Sequence, residues 1–581
     1  AGQGCQSGGC HRLLAGCPRR LRPLVACGGS SSESSDTFVM GAEKLTGTFS
    51  PLYYASSYDG YVVDLAYDSL MDYDKDDVLV PELAKEEPTI SEDGKTITFK
   101  LQKDIKFSNG DPLTADDVAF TFQVLADPSY DGRYSAKVLY LEGLDAYRGV
   151  MNPDTKKYEG GSGKLEDFTG IKVVSDTEVQ FTFTEARSDN LLTVAKQAIV
   201  NAEDFADYAF GDVKAVKDAM GEPNGTGPYV MKSWDAATGA VFEKSESYWG
   251  EGFDIAKVII KPVEMTTDWT ELKNKSVDML AGMIEPKKVG PASATDFVEF
   301  STYPRAGMGY VEMNTVSGVT SDVAVRKAMM YGFDRQAFVD SYYECPECEG
   351  IDGVGAYVPQ MYANPGSIMG DIVRGTEEIE GLDGFAYDLD KANQVLDEAG
   401  WVRGADGIRV KDGQRLEIKA LTMKDHDILS NIIPMWQKNW GEMGADVKIA
   451  TVDFNTLLDK VYSDDALEEW NIFFMATSWT TTEVDIFSSF HSSEAKNGGD
   501  NLSRINDPEL DALLDEALRT LDEDAQKEVY NKIAVKLGEL CVKVPVYGNT
   551  YFDMYNGEKI EGFKTNTFYN WTAALKDAKM K

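Results

Sequence analysis

Cysteine, histidine and long apolar runs are scarce in this chain, and each scarcity removes a class of protein. Seven cysteines among 581 residues cannot build the dense disulfide framework of a small secreted domain. The three histidines, His11, His426 and His491, stand far apart, with no H-E-x-x-H and no G-x-S-x-G, so the zinc-protease and serine-hydrolase signatures are missing. No window reaches the ~18 consecutive apolar residues that a membrane-spanning helix needs; Leu191 to Val200, for instance, is broken by Lys196 and Gln197. Positive charge is short too. The 57 Lys and Arg against 97 Asp and Glu leave a net charge of -40, which repels phosphate at long range and argues against nucleic acid or anionic lipid as a partner.

Two further signals fail on inspection. Gly160 to Lys164 has the look of a phosphate loop, but Tyr158 stands where its first glycine belongs and Leu165 replaces the Ser/Thr. Asp72, Asp74 and Asp76 begin like an EF-hand, yet the sixth position is Asp77 and the twelfth Leu83. The second reads as a solvated turn between hairpin strands.

What is present is a globular composition, 43% hydrophobic and 27% charged, in a chain long enough for two or three packed lobes. The most structured stretch runs from Pro81 to Val118. Ile97, Phe99 and Leu101 alternate with Thr96, Thr98 and Lys100, the period-two pattern of a half-buried strand, and Glu92-Asp93-Gly94 before it is a turn. A second strand pattern carries Ile105 and Phe107, and Asn109-Gly110 then offers a tight turn. Thr114 with Asp117 three residues later reads as a capping box, followed by Val118, Phe122 and Leu125 at helical spacing. That helix should stop before Asp127-Pro128.

This order of words resembles the family 5 extracellular solute-binding proteins of ABC importers, the oligopeptide and dipeptide receptors. Pro81, Leu83, Ala84, Asp93, Gly94, Phe99, Leu101, Phe107, Gly110, Ala115, Asp117 and Val118 fit the family's phrase. Further phrases follow in the family's order: Asn224 to Tyr229 with Ser247-Tyr248-Trp249, Val325 to Arg335, Tyr387 to Trp401, Asn501 to Ala517, and Val544 to Tyr547. The segment Thr266 to Leu280 fits except that Ser276 stands where a glycine is usual. Similarity thus spans about residues 45 to 580.

The resemblance implies an α/β fold of the two-lobed periplasmic-binding-protein type (type II, the large cluster C form) with an additional subdomain in lobe I. Lobe I would comprise 37-302 plus 549-581, with the extra subdomain at about 60-165; lobe II would be 303-548, and the hinge would lie where the chain crosses near 302 and 549. It implies a receptor that captures peptides by lobe closure and hands them to an ABC permease, with no catalytic residue, cofactor or metal, as a monomer. A different solute, such as a nickel complex, haem or an oligosaccharide, is the alternative within the family. A secreted hydrolase is the alternative outside it, since with so many carboxylates a catalytic pair cannot be forbidden by sequence.

Peptide receptors of this family pair an aspartate shortly after a tryptophan with the ligand's α-ammonium. Here the third residue after Trp479 is Thr482; either Glu483 or Asp485 substitutes after a small shift, which favours a cationic ligand, or the site suits a neutral or blocked one. Trp479, Thr482, Glu483 and Asp485 are the expected lining of one wall. The other follows Phe49-Ser50-Pro51: Tyr54, Ala55, Ser56, Ser57 and Tyr58, with Tyr53 as further aromatic surface. His491 reads either as pocket lining or as a structural residue.

Near the N-terminus, Leu24-Val25-Ala26-Cys27 has the form of a lipobox, and Gly28 to Ser35 resembles a flexible tether. Residues 27-36 would then be a lipidated tether, holding the protein on the extracellular face of the cytoplasmic membrane. Residues 1-26 read as a damaged, frame-shifted or appended signal sequence, because Pro18, Pro23 and four arginines leave no apolar core; a metal-binding or disulfide-bonded head is the alternative. Cys345-Pro346-Glu347-Cys348 reads as a loop disulfide, with half of a metal site as the other possibility.

Overall fold

The computed structural model describes residues 36–348 and 355–581. Cys27, its expected lipidation and the head before it lie outside the described residues.

A twelve-stranded mixed sheet runs through the molecule. One half is ordered Tyr229–Asp235, Gly239–Lys244, Lys257–Pro262, Thr37–Ala42 and Met279–Met283; the other is Gly307–Met313, Ile472–Ser478, Glu417–Met423 and Asp446–Val452. The strand Lys543–Asn556 joins them. Its first residues pair with Gly307–Met313, as in Lys543 opposite Glu312, while its last pair with Val298–Pro304, as in Asn556 opposite Val298. Fourteen residues is long for a strand, and this one is long because it serves both halves.

The Pro81 to Val118 stretch lies in a smaller body. Thr96–Lys100 is the predicted strand, with Ile97, Phe99 and Leu101 almost fully buried, and its N-terminal neighbour is Thr89–Ile90 across the predicted turn, where Gly94 has φ +69°. The capping box also forms: the Thr114 amide donates to the Asp117 carboxylate at 2.8 Å, and the helix Ala115–Leu125 ends at Ala126. The second predicted strand does not form. Ile105 and Phe107 are buried, but they sit in a loop closed by one bridge, Lys106 to Pro112. The partner of Thr96–Lys100 is instead the distant strand Glu178–Thr182, whose Val179 and Phe181 supply the cross-strand apolar contacts. The apolar cluster around this small sheet draws on residues from Leu52 to Val216, well past position 165.

Elsewhere the local predictions and the structure agree for physical reasons. Asp388 caps Leu389–Glu398 by accepting from the Lys391 amide, Ala392 and Leu396 face the core, and Gly400 closes the turn at φ +85°. Gly225 and Gly227 are required by close approach: a Cβ at Gly225 would lie 2.0 Å from the Ala66 carbonyl oxygen. Cys345 and Cys348 are disulfide-bonded. Among the described residues no helix is long and apolar enough to cross a membrane, and no cluster of His, Cys, Asp and Glu is arranged to hold a metal ion.

Candidate functional site

A cavity of about 1820 Å³ lies between the small-sheet body and the two halves of the large sheet. It is larger than the roughly 300–1,000 Å³ of pockets for drug-sized ligands. Both expected walls border it.

Tyr54, Ala55, Ser57 and Tyr58 line the cavity; Ser56 does not. Ser56 is buried and caps the helix Ser57–Ala66, accepting from the Tyr58 amide at 3.2 Å, so its hydroxyl serves the backbone. The carbonyls of Tyr54 and Ala55 are held by Tyr134 Oη (2.7 Å) and Arg133 Nη1 (3.1 Å). Tyr53 packs on Tyr130 instead of facing the cavity.

On the opposite wall Trp479, Glu483 and Asp485 line the cavity and Thr482 does not. The Trp479 ring meets Tyr362 at 5.2 Å and its Nε1 donates to the Asp485 carbonyl at 3.0 Å, which curls the loop after the strand Ile472–Ser478 so that Asp485 turns inward. Asp485 takes a left-handed backbone, φ +45°, uncommon for a side chain other than glycine and a frequent feature of functional loops. The Thr482 amide is used elsewhere, donating to Tyr73 Oη at 3.1 Å. Thr482, at the position of the family's aspartate, is thus turned away, and the residue six after the tryptophan presents the carboxylate.

The Asp485 side chain lines the cavity and is open to solvent there. Among the described residues, none donates a hydrogen bond to the carboxylate of Asp485 or Glu483. Burial, then the charges of Asp500 and Asp189, push Asp485 up to about 6; burial, then Asp189 and Asp485, push Glu483 up to about 7. Burial pushes the nearby Lys137 down to about 8.

Sequence reasoning missed several residues of this site because they are brought together only by the fold. Asp68 accepts from Trp249 Nε1 and from Thr226 Oγ1, both at 2.8 Å, so two of the family's phrases converge on it. Lys543 and Glu312, both almost fully buried, pair at 3.3 Å, and the ammonium lies 4.4 Å from the Tyr362 ring centre. Arg133 reaches across the cavity to Asp500 at 3.0 Å, and Tyr462 Oη also donates to that carboxylate at 3.1 Å. Tyr140 Oη donates to Asp515 at 2.5 Å, and Ser135 Oγ to Glu494 at 3.1 Å. His491 is structural in position: it stacks on Phe487 at 4.3 Å, with Nε2 3.6 Å from Asp515, and it is not part of the lining.

A model of the bacterial extracellular solute-binding proteins, family 5 (middle), matches residues 78–500. The chain belongs to this family. Among family 5 relatives, the oligopeptide-binding protein OppA of Bacillus subtilis (strain 168) is 25% identical over 477 residues, covering 79% of this chain and 77% of that protein. The nickel-binding periplasmic protein of Escherichia coli (strain K12) is 24% identical over 549 residues, covering 92% and 93% respectively by the same measure of each chain. The solved structure of the oligopeptide-binding protein AppA from Bacillus subtilis, in complex with a nonapeptide, superposes with a TM-score of 0.78 at 21% identity, covering 94% of this chain and 99% of that one. The fold is therefore the two-lobed α/β binding-protein fold that the sequence phrases implied, and family 5 proteins are solute receptors of ABC importers.

Proposed function

We propose that this protein is an extracytoplasmic receptor that captures a peptide by closure of two lobes and delivers it to an ABC permease. The observation that carries the reading is the pair of inward-facing carboxylates, Asp485 and Glu483, with no protein donor among the described residues. Both carboxylates keep their acceptor sites free toward the cavity, and an α-ammonium seated beside Trp479 would supply charge-assisted hydrogen bonds to them. The size of the cavity favours an oligopeptide over a small metal complex. The binding of peptides by OppA and AppA, as their names state, supports the same reading.

The lobes in this reading are residues 37-302 plus 549-581 and residues 303-548. The pivot is the pair of crossings where Pro304 passes to Gly307 and where Lys543–Asn556 changes partners between Tyr547 and Thr550. Closure is a population shift that the ligand drives by touching both lobes. The protein acts as a monomer, tethered through Cys27 by a lipid, and performs no catalysis.

The test is a thermal-shift and calorimetry screen against peptide mixtures, oligosaccharides and nickel. A receptor for peptides is stabilised by the first alone, by mass action and without turnover. Stabilisation by a sugar or by nickel, with peptides silent, replaces the reading by the alternative solute; consumption of the ligand replaces it by a hydrolase.

A further inference from the structure

Among the described cations that border the cavity, Lys44, Lys137, Arg305 and Lys576 have no ion pair, and of these Lys44 and Lys576 are exposed to solvent; the others are neutralised. Arg133 meets Asp500, Arg187 meets Glu185 and Asp189, Lys196 meets Asp72, and Lys543 meets Glu312. Arg305 is different. Its side chain is nine-tenths or more buried and it lines the cavity, yet among the described residues no carboxylate lies within ion-pair distance of it. Its guanidinium donates to three neutral acceptors: Ser478 Oγ (3.3 Å), Asn549 Oδ1 (3.1 Å) and the Thr477 carbonyl (3.0 Å). A guanidinium carries five N–H donors; these three bonds and a fourth to the Tyr547 hydroxyl leave one N–H without an acceptor.

The surroundings do not supply a negative charge. The ring centres of Tyr551 and Tyr547 lie 4.7 and 5.9 Å from the guanidinium carbon, and the buried Tyr343 hydroxyl, which acts electrostatically on Arg305, has no hydrogen-bond partner among the described residues. Aromatic faces lower the cost of a buried cation without cancelling it. Lys137, the other cavity cation with a neutral partner, bonds Gln197 Oε1 at 2.9 Å and feels the charge of Asp485. Arg305 has neutral partners too, but no carboxylate is among the groups that act on it most strongly.

Its place in the fold is informative as well. Arg305 follows the strand Val298–Pro304 at the first crossing, and its amide donates to the Asn549 carbonyl on the second. Through Thr477 and Ser478 it also holds the end of the strand that leads into Trp479. The guanidinium is therefore fixed at the pivot, at the same wall as the aromatic residue beside the carboxylates.

We propose that Arg305 is the anion receptor of this cavity and takes a carboxylate of the bound solute, so that the solute must carry an anionic group as well as a cationic one. The inference rests on the receptor reading above and narrows its ligand class. A planar guanidinium that has no carboxylate partner and an N–H still to give suits a carboxylate. In a peptide that carboxylate is either the C-terminus or an acidic side chain.

The experiment measures binding of alanine pentapeptide as the free acid and as the C-terminal amide, and of pentapeptide amides with a central Glu or Gln, to the wild type, Arg305→Lys and Arg305→Gln. In the wild type the carboxylate member of at least one pair binds about tenfold or more tightly than its neutral counterpart. That preference falls to about one in Arg305→Gln and survives in part in Arg305→Lys. The acid and amide pair identifies the C-terminus as the source; the Glu and Gln pair identifies a side chain. A merely structural role at the hinge weakens all peptides together and leaves the ratios unchanged. Equal binding within both pairs in the wild type, or ratios unchanged in Arg305→Gln, overturns the proposal. If no peptide binds at all, the peptide reading fails, and Arg305 is then tested by thermal shift with succinate and tricarballylate. A shift in the wild type that is lost in Arg305→Gln supports it, and no shift overturns it.

Discussion

Removing the Arg133 guanidinium should break a contact that spans the cavity and so weaken lobe closure and ligand binding. Arg133 belongs to the body built around the small sheet and Asp500 to the segment that follows the candidate binding loop, so their 3.0 Å contact spans the cavity. At an effective dielectric of about 20, two charges at that distance attract by about 5 kcal/mol. Both side chains are partly buried, so desolvation and the ordering of a long side chain return most of that, leaving about 1–2 kcal/mol net. In Arg133→Met, Asp500 keeps the Tyr462 hydroxyl and, at 3.3 Å, the Ser488 hydroxyl, which prevents a stranded charge from inflating the effect. The closed population then falls by about 5- to 30-fold relative to the open one, and the apparent Kd rises by the same factor if the free protein is mainly open. Calorimetry with the co-purified ligand measures the Kd, and a double-mutant cycle with Asp500→Asn isolates the pair. A Kd within twofold of the wild type, together with no coupling between the two substitutions, refutes the reasoning.

Asp485→Asn should weaken binding of a cationic solute by about 1.5–3 kcal/mol, the worth of a hydrogen bond to a charged group, read by calorimetry. In the wild type the affinity for such a solute should climb as pH rises through about 6 to 7, where Asp485 and Glu483 ionise, and be lost below that range. A carboxyl whose pKa is raised in the folded state opposes folding above that pKa, so the Asn variant should be at least as stable as the wild type at pH 8 by urea unfolding; a clear loss of stability there would contradict the placement of Asp485. Gly225→Ala forces a Cβ to 2.0 Å from the Ala66 oxygen and should destabilise by about 1–3 kcal/mol or prevent folding, measured by urea unfolding. Phe99→Ala, at a fully buried position of the small sheet, should cost about 3–5 kcal/mol in the same assay; a cost under 1 kcal/mol would mean that the small sheet is not packed as described.

The local elements were legible because their causes are local. The capping box at Thr114, the alternation from Thr96 to Leu101 and the cap at Asp388 each depend on a handful of neighbouring residues. The partner of Thr96–Lys100 was not, because Glu178–Thr182 lies far along the chain, and nearby Ile105 and Phe107 carry an apolar pattern that suits a buried loop as well as a strand. The site divides in the same way. Of the residues expected from the phrases next to Pro51 and Trp479, most line the cavity, whereas Ser56 and Thr482 do not: one is consumed as a helix cap and the other is turned out by the loop that aims Asp485. Arg133, Asp500, Lys543 and Arg305 had no signature in sequence, since their meaning comes from partners hundreds of residues away or from the lack of one.

Mass spectrometry of the folded protein, under native conditions and then after denaturation, is the most direct test of the central claim. The account predicts that a peptide with a free α-ammonium is released on unfolding and that Asp485→Asn co-purifies with less of it. Recovery of a haem, a nickel complex or an oligosaccharide in stoichiometric amount, with no peptide, would contradict it.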